Sequence, residues 1–281
     1  MIRRTAALFI FVAWSFGALA QQKVEDIRRN FMNASNGTVM VASHRAAHAR
    51  FPENSLKAIQ EAIRLGVDII EIDVKVSKDG IPFLMHDGTM DRTTNGKGDP
   101  ELLTWQELQK FFIVDKGKRT SLKIPTLREA LGLAKGKIMV DLDLKTSHIN
   151  EVIDVVKKTD TENIVFFFDS DYQILEQVQK AGKDLMIMPR AHRISEADSA
   201  ITLFDPPVVH IDFSFYTPEC IDLIRSSQAR IWINALGDPD EDLRKGHEKK
   251  ALKKLLENGA NIVQTDEPEI LLKVLKEKGY R

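Results

Sequence analysis

Short apolar runs alternate with amphipathic stretches from residue 38 to the end of the chain. Runs rich in Val and Ile are typical of strands buried in a parallel sheet, and apolar residues spaced three and four apart are typical of the helices that cover such a sheet. The pattern predicts eight strands, at Thr38–Arg45, Ile69–Ser77, Lys137–Lys145, Asn163–Asp169, Asp184–Arg190, Val208–Phe213, Arg230–Asn234 and Asn261–Thr265.

Helical patterns occupy the intervals between these strands, and several of them begin with a capping residue such as Thr126 or Thr217. Eight strands that are each followed by a helix match a (β/α)₈ barrel, so the predicted fold class is an α/β TIM barrel. The predicted helices are Glu53–Leu65, Thr126–Lys135, His148–Lys158, Tyr172–Ala181, Glu196–Thr202, Pro218–Ser227, Asp240–Asn258 and Glu269–Lys278.

The interval 78–124 breaks the alternation and predicts a small insertion after the second strand. It begins with a turn and a second short strand at Ile81–His86, and continues with a stretch at 91–98 that is rich in Gly, Thr and charge. Thr104–Phe112 has the spacing of a short amphipathic helix. Loops that follow barrel strands lie at the C-terminal mouth, so we expect this insertion beside the active site.

The N-terminus has the pattern of a secretory signal peptide. Residues 1–4 include two arginines, residues 6–19 are apolar and uncharged, and small residues lead up to Ala20. We predict a signal peptide at 1–20 and an exported barrel domain at 21–281, periplasmic or extracellular. A membrane anchor is the alternative, and it is disfavoured because the apolar run is shorter than the ~20 residues that a bilayer core requires.

Composition narrows the partner class. The chain has 281 residues with 40 Lys and Arg against 41 Asp and Glu, a formal net charge of −1. Because the chain has no excess of positive charge, nucleic acid is not an expected partner. No segment after the leader is apolar and long enough for us to expect a membrane span. A small molecule is the expected partner, and the oligomeric state stays open. Cys220 is the single cysteine, which predicts a buried structural thiol.

Acidic residues lie within two of the predicted apolar strands. Glu71 and Asp73 share one face of the second strand, and Asp141 and Asp143 share one face of the third. Carboxylates brought together in a barrel repel one another unless a cation neutralises them, and oxygen ligands suit Mg²⁺ or Ca²⁺. We predict that the metal ligands are Glu71, Asp73 and Asp143. Asp141 is either a fourth ligand or points at a neighbouring strand, and a layer of internal salt bridges is the alternative for the whole cluster.

Two histidines end predicted strands beside these acids. His44 ends the first strand and His86 ends the short strand of the insertion. Imidazoles take and give protons near neutral pH, so the pair suits the general base and general acid of an in-line displacement. Arg45 and Lys145 would supply positive charge to an anionic group such as a phosphoryl group.

Six motifs within about sixty residues resemble the signature of the glycerophosphodiester phosphodiesterase family. They are Ser43–Ala46, Phe51–Ser55, Gly66–Val74, Lys78–Gly80, His86–Asp87 and Asp91–Gly98. Weaker likenesses follow at Asp143–Lys145, Ile231–Asn234 and Gln264–Pro268.

The resemblance implies a TIM barrel with an insertion after the second strand, and metal-dependent hydrolysis of glycerophosphodiesters to an alcohol and glycerol 3-phosphate. It implies either attack by a substrate hydroxyl, through a cyclic phosphate, or direct attack by water. The same resemblance implies that His44 and His86 are the general acid and base and that Glu71 and Asp73 bind the metal. It implies that Arg45 and Lys145 bind the phosphate group. Glu53 would then lie near the phosphate and the metal, and Trp232 would line the part of the site that binds the alcohol.

Two positions depart from the family pattern. Ala46 stands where the family usually has Gly, and Asp143 stands where it has Glu. Three other functions stay open: a phosphodiesterase for another head group (lysophospholipid, phosphoinositol or sugar), a non-catalytic barrel that binds a phosphorylated ligand, and a glycosidase. Further polar residues at strand ends have either a substrate-binding or a structural interpretation: His192, His210, Asp212 and Asn234.

Overall fold

A computed structural model of the chain describes residues 23–281, and the predicted signal peptide at 1–20 lies outside the described residues. The barrel strands are β1 Met40–Ser43, β2 Ile69–Val76, β6 Met139–Leu144, β7 Val165–Asp169, β8 Met186–Pro189, β9 Val208–His210, β10 Arg230–Asn234 and β11 Ile262–Thr265. These eight strands lie side by side and parallel in the order β8, β7, β6, β2, β1, β11, β10, β9. A single parallel bridge between Arg190 and His210 joins β8 to β9, so the barrel is nearly closed and the TIM-barrel prediction is confirmed.

Helices cover the outside of the barrel close to the predicted positions, with one exception. The predicted helix Asp240–Asn258 is wrong, because the chain forms two helices separated at Gly246, whose φ of 76° is left-handed and ends the first helix. The helices are α1 at 23–31, α2 Leu56–Leu65, α3 Trp105–Leu108, α4 Leu127–Ala134, α5 Ile149–Thr159, α6 Tyr172–Ala181, α7 Ile194–Phe204, α8 Pro218–Ser226, α9 Asp238–Arg244, α10 Glu248–Leu256 and α11 Pro268–Glu277.

The segment between β2 and α4 folds as a small unit beside the barrel. Its first strand, β3 Pro82–Leu84, pairs antiparallel with β2, and a two-stranded hairpin follows at β4 Val114–Asp115 and β5 Lys118–Arg119. The unit has its own buried apolar cluster, which holds it rigidly at the end of β2. The buried members of that cluster are Phe83, Met85, Met90, Leu108 and Ile124.

The N-terminal end of the barrel is closed by apolar packing. Phe31 at the end of α1 is fully buried and stacks on Phe166 inside the barrel, with ring centroids 5.2 Å apart. Met40 and Ile69 pack in the same interior cluster. A substrate therefore has access to the barrel strands from the opposite, C-terminal end.

Two smaller predictions concern the rest of the described chain. Cys220 in α8 is a buried free cysteine, which is consistent with a structural thiol, and burial raises its pKa to about 11. Among residues 23–281, none of the helices combines the length and apolar character that crossing a bilayer requires.

Candidate active site

Three carboxylates converge at the C-terminal end of the barrel. Strands β2 and β6 pair in a register that sets Glu71 beside Asp141 and Asp73 beside Asp143. One carboxylate oxygen from each of Glu71, Asp73 and Asp143 lies within 4.8 Å of the other two. The structure thus brings together the three residues that the sequence predicts as metal ligands. Asp141 is buried beside Glu71, and its Oδ1 has no hydrogen-bond donor among the described residues.

The carboxylates stand in an electrostatically unfavourable environment. Burial is the largest cause that raises the pKa of Glu71, Asp141 and Asp143, and repulsion from the neighbouring acids adds to it. Buried Glu71 Oε1 and Asp73 Oδ1 have no hydrogen-bond donor among the described residues. Unpaired buried oxygens of this kind are costly unless a cation meets them. Oxygen donors are the ligands of hard divalent ions, so Glu71, Asp73 and Asp143 fit such an ion.

Lys145 and Arg45 border the carboxylates. Lys145 Nζ donates to Asp143 Oδ2 at 2.7 Å and lies 3.8 Å from Asp73 Oδ1. Burial lowers the pKa of Lys145, but the adjacent carboxylates outweigh burial and raise it, so the ammonium stays charged. Arg45 Nη1 donates to Glu53 Oε1 at 2.9 Å, and Arg45 Nε lies 3.6 Å from Asp73 Oδ2. Both cations therefore stand at the edge of the acidic cluster.

Each predicted acid/base histidine is held by an aspartate. His44 Nδ1 is 2.7 Å from Asp266 Oδ1, and His86 Nδ1 is 2.7 Å from Asp87 Oδ1. An Nδ1–H that donates to a carboxylate leaves Nε2 as the proton acceptor of the neutral ring. His44 Nε2 lies 4.0 Å from Glu71 Oε2, next to the carboxylate cluster. Both rings are thus oriented with the same nitrogen free for proton transfer.

Asp266 accepts a second histidine contact. His48 Nε2 lies 2.9 Å from the same Asp266 Oδ1 that His44 contacts. Burial alone would raise the pKa of Asp266, but the two histidine hydrogen bonds lower it well below its usual range. The Asp266 backbone N–H donates to Asp240 Oδ2 at 2.8 Å, which fixes the chain at the end of β11.

Arg92 connects the two sides of the mouth. Its guanidinium donates to Asp87 Oδ2 at 2.7 Å through Nε and to Glu53 Oε2 at 2.6 Å through Nη1. Burial raises the pKa of Glu53, but Arg92 and Arg45 together outweigh it and hold that pKa below its ordinary value. Hydrogen bonds from Arg92 likewise lower the pKa of Asp87. One arginine of the insertion therefore positions the partner of His86 and the Glu53 carboxylate at once.

The turn after β1 has an unusual backbone. Arg45 and Ala46 have φ values of 47° and 62°, so two consecutive non-glycine residues are left-handed. This conformation costs roughly 1–2 kcal/mol per residue for a side chain with a Cβ. Ala46 thus adopts a positive φ at the position where the family usually has Gly, the residue that reaches this conformation without strain. Strain of this kind is characteristic of functional sites, and here it brings the Arg45 backbone N–H to Glu71 Oε2 at 2.7 Å.

Trp232 lies deeper than the resemblance implies. Its side chain is fully buried, donates from Nε1 to Asn234 Oδ1 at 3.0 Å, and packs edge-on against Phe166. The structure thus places Trp232 in the barrel interior, below the mouth, and leaves Asn234 as the more exposed residue of β10. Because the Trp232 side chain has no exposed surface, the structure does not support its predicted contact with the alcohol.

A second polar group lies across the mouth from the carboxylates, at the ends of β8 and β9. Asp212 accepts from Arg190 Nη2 at 2.6 Å and lies 2.9 Å from His192 Nδ1. His210 is buried beneath them with no partner for either ring nitrogen among the described residues, and burial lowers its pKa to about 3. A neutral imidazole at this position can donate one hydrogen bond and accept another.

Sequence reasoning missed five residues that shape the site. All of them except His48 and Asp266 lie in the short motifs of the first half of the chain, and Asp266 lies in the Gln264–Pro268 motif. For the four residues other than His48, presence in a motif was the available signal, but only the folded chain shows what they contact. They are His48, Asn54, Asp87, Arg92 and Asp266; Asn54 Nδ2 donates to Asp73 Oδ2 at 2.7 Å.

Known proteins resemble this chain in sequence. The sequence model of the glycerophosphoryl diester phosphodiesterase family matches residues 44–203. A glycerophosphodiester phosphodiesterase of Caldanaerobacter subterraneus is 26% identical over 254 residues, which cover 85% of this chain and 99% of the relative. Human glycerophosphodiester phosphodiesterase 1 is 34% identical over 125 residues, 43% of this chain and 38% of the relative.

Solved structures share the architecture. A glycerophosphoryl diester phosphodiesterase from Parabacteroides distasonis superposes with a TM-score of 0.78 at 23% identity, covering 91% of this chain and 92% of that one. A phosphodiesterase from Oleispira antarctica, solved in complex with the product sn-glycerol 3-phosphate, gives a TM-score of 0.74 at 24% identity and covers 86% of this chain and 99% of that one. At these identities the likenesses establish the barrel fold.

The family match begins at His44, includes all three clustered carboxylates and both aspartate-held histidines, and spans more than half of the sequence. The chain therefore belongs to the glycerophosphoryl diester phosphodiesterase family and is a phosphoric diester hydrolase.

Proposed function

We propose that the chain hydrolyses glycerophosphodiesters to an alcohol and glycerol 3-phosphate, with a divalent cation at Glu71, Asp73 and Asp143. The observation that carries the proposal is the convergence of these carboxylates, with two unpaired buried oxygens, beside a histidine held by an aspartate. Mg²⁺ and Ca²⁺ both suit the donors. The product complex of the Oleispira antarctica phosphodiesterase supports glycerol 3-phosphate as the product.

The cation, when bound, would supply positive charge to the phosphoryl oxygens. Arg45 and Lys145 would add to that charge from the rim, and Lys145 would then exchange its Asp143 partner for the substrate. Glu53 would keep Arg45 oriented through their 2.9 Å hydrogen bond.

His44 and His86 would move the protons at their Nε2 atoms. One ring would take a proton from the attacking oxygen, and the other would give a proton to the leaving alcohol. Attack by a substrate hydroxyl, through a cyclic phosphate, and direct attack by water both need one base and one acid. Asp266 and Asp87 would hold the two rings in the tautomer that has Nε2 unprotonated and would stabilise each ring when it is charged.

His44→Ala and His86→Ala test the proposal. Each change removes a proton carrier, so we expect glycerophosphocholine hydrolysis to fall about 10²- to 10⁴-fold while the circular dichroism spectrum stays unchanged. His148→Gln, on a histidine whose side chain is 58% exposed and lies 3.5 Å from Glu151, is the control. Rates near wild type in both alanine variants would contradict the acid/base roles. A panel of other diesters in the same assay would establish the preferred head group.

The leader is a separate part of the proposal. We expect export through residues 1–20, with cleavage after Ala20 and release into the periplasm or the medium. N-terminal sequencing of the protein purified from the native cell envelope checks this, since an intact Met1 would contradict cleavage.

A further inference from the structure

The end of β1 and the end of β11 carry a group of donors that differs in chemistry from the carboxylate cluster. One donor atom from each of His44, His48 and Asp266 lies within 4.8 Å of the other two. His44 Nδ1 and His48 Nε2 both contact Asp266 Oδ1, at 2.7 and 2.9 Å. Two imidazole nitrogens and one carboxylate oxygen therefore meet at one point.

We propose that His44, His48 and Asp266 form a second metal site, which takes a nitrogen-preferring divalent ion such as Zn²⁺ and inactivates the enzyme by binding His44. Two histidines and one carboxylate, with water in the fourth position, are a common donor set for Zn²⁺. The Glu71, Asp73 and Asp143 cluster offers oxygen alone, which suits Mg²⁺ or Ca²⁺. One mouth thus holds two sites with different ion preferences.

The fold holds these donors in place. His44 and Asp266 lie next to each other because β1 and β11 pair with Ser43 beside Thr265. The left-handed turn at Arg45 and Ala46 returns the chain so that His48 faces the same carboxylate. A site assembled in advance in this way loses little conformational entropy when an ion binds.

The donors are accessible and are not neutralised by another cation. The side chains of His44, His48 and Asp266 are 17%, 25% and 31% exposed, so an ion can reach them from the mouth. Among the described residues, Asp266 makes no ion pair with a lysine or arginine. Small shifts of the two rings would bring all three donors to zinc-ligand distances of about 2.0–2.2 Å.

Inactivation follows from the position of the single proton on the neutral His44 ring. The neutral ring carries one proton, which lies on Nδ1 while that atom donates to Asp266. When Nδ1 gives its lone pair to Zn²⁺, the proton moves to Nε2, and no proton is lost overall. Nε2 then has no lone pair with which to accept a proton. This consequence rests on the proposed role of His44, whereas ion binding itself does not.

The test measures zinc binding and activity separately. Metal-free protein with saturating Mg²⁺ is titrated with Zn²⁺ against a chromophoric chelator, for the wild type and for His48→Gln, which keeps an amide donor for Asp266. We expect one zinc per wild-type chain and at least about tenfold weaker binding in His48→Gln. His192→Gln, which changes another histidine paired with an aspartate, is the matched control and should bind zinc as the wild type does.

The activity readout follows inhibition of diester hydrolysis by Zn²⁺ in the same variants. The inhibition curve, measured relative to each variant's own rate without zinc, should shift at least about tenfold in His48→Gln. Unchanged zinc binding in His48→Gln, confirmed in His48→Ala, would overturn the site. Weaker binding with unchanged inhibition would overturn the inactivation. A wild type without any diesterase activity would contradict the proposed function and leave the binding result to decide the metal site.

Discussion

The two ends of the barrel bury charge in opposite ways. At the N-terminal end, the fully buried Arg230 donates to backbone carbonyls, among them Phe31 at 3.0 Å and Asn33 at 2.9 Å. At the C-terminal end, buried Glu71 and Asp73 each keep an oxygen without a donor. A buried charge that the protein itself satisfies stabilises the fold, and one that it leaves unsatisfied indicates a ligand.

The comparison also explains why only one end is reactive. Burial lowers the pKa of Arg230 to about 10, so the guanidinium stays charged, and it holds α1 through carbonyls near the C-terminal end of that helix. The acids at the other end repel one another, so they favour any cation that enters.

Glu71→Gln separates function from stability. The amide keeps an acceptor for the Arg45 backbone N–H but removes one buried negative charge. We expect diester hydrolysis to fall at least about 10²-fold, because the cation loses a charged ligand. The midpoint of thermal unfolding in EDTA should rise, because repulsion with Asp73 is relieved. An unfolding midpoint below that of the wild type in EDTA would contradict the account.

Arg230→Met should have the reverse profile. Removing the guanidinium takes away the donor of the buried Phe31 carbonyl and the other hydrogen bonds that hold α1, so we expect the free energy of unfolding to fall by about 1–3 kcal/mol, measured by chemical denaturation. The activity per folded molecule should not change, because the residue lies at the other end of the barrel. Arg193→Met, on an arginine that is 72% exposed, is the control and should be nearly neutral.

Arg92→Lys tests how the mouth is positioned. A lysine cannot reproduce the forked contacts to Asp87 and Glu53, so we expect kcat to fall about 10- to 100-fold with a smaller change in KM. Added guanidinium should restore part of the rate to Arg92→Gly. Arg119→Lys, an exposed change in the same insertion, should have no effect. A change confined to stability would give Arg92 a structural role only.

His210 gives the smallest expected effect, a dependence of stability on pH. Its folded pKa of about 3 lies below the ordinary value near 6.5, so the unfolded chain binds the extra proton between these values. Stability is therefore lost as pH falls below 6.5. Between about pH 7 and about pH 5, the wild type should lose about 2 kcal/mol more than His210→Gln. Equal losses would show that the ring finds a partner.

Local patterns predicted most of the fold because the barrel strands are short segments rich in apolar, mostly β-branched residues that alternate with amphipathic helices. Strand β10 lies at the predicted Arg230–Asn234, and α6 lies at Tyr172–Ala181 as predicted. The predicted helix Asp240–Asn258 was wrong because its apolar spacing continues through Gly246, where the backbone turns left-handed. The spacing of apolar residues carries no information about the backbone φ angle of a glycine within it, so the break between the two helices could not be predicted from that spacing.

The site residues that could be predicted from the sequence are the polar side chains in or at the ends of the predicted strands. Alternation along β2 and β6 placed Glu71, Asp73 and Asp143 on inward faces, and the register then brings them together. The partners of the histidines could not be assigned in this way. Asp266 is 222 positions from His44, and only closure of β11 onto β1 makes them neighbours. The depth of Trp232 likewise depends on packing against β7 and β9.

The most direct test of the central claim is the rate of glycerophosphodiester hydrolysis by the wild-type chain before and after removal of divalent ions with EDTA. We predict that the rate falls to background and returns when Mg²⁺ or Ca²⁺ is restored, because the unpaired carboxylates at the mouth serve a cation that the reaction requires. An undiminished rate after exhaustive chelation would contradict that claim.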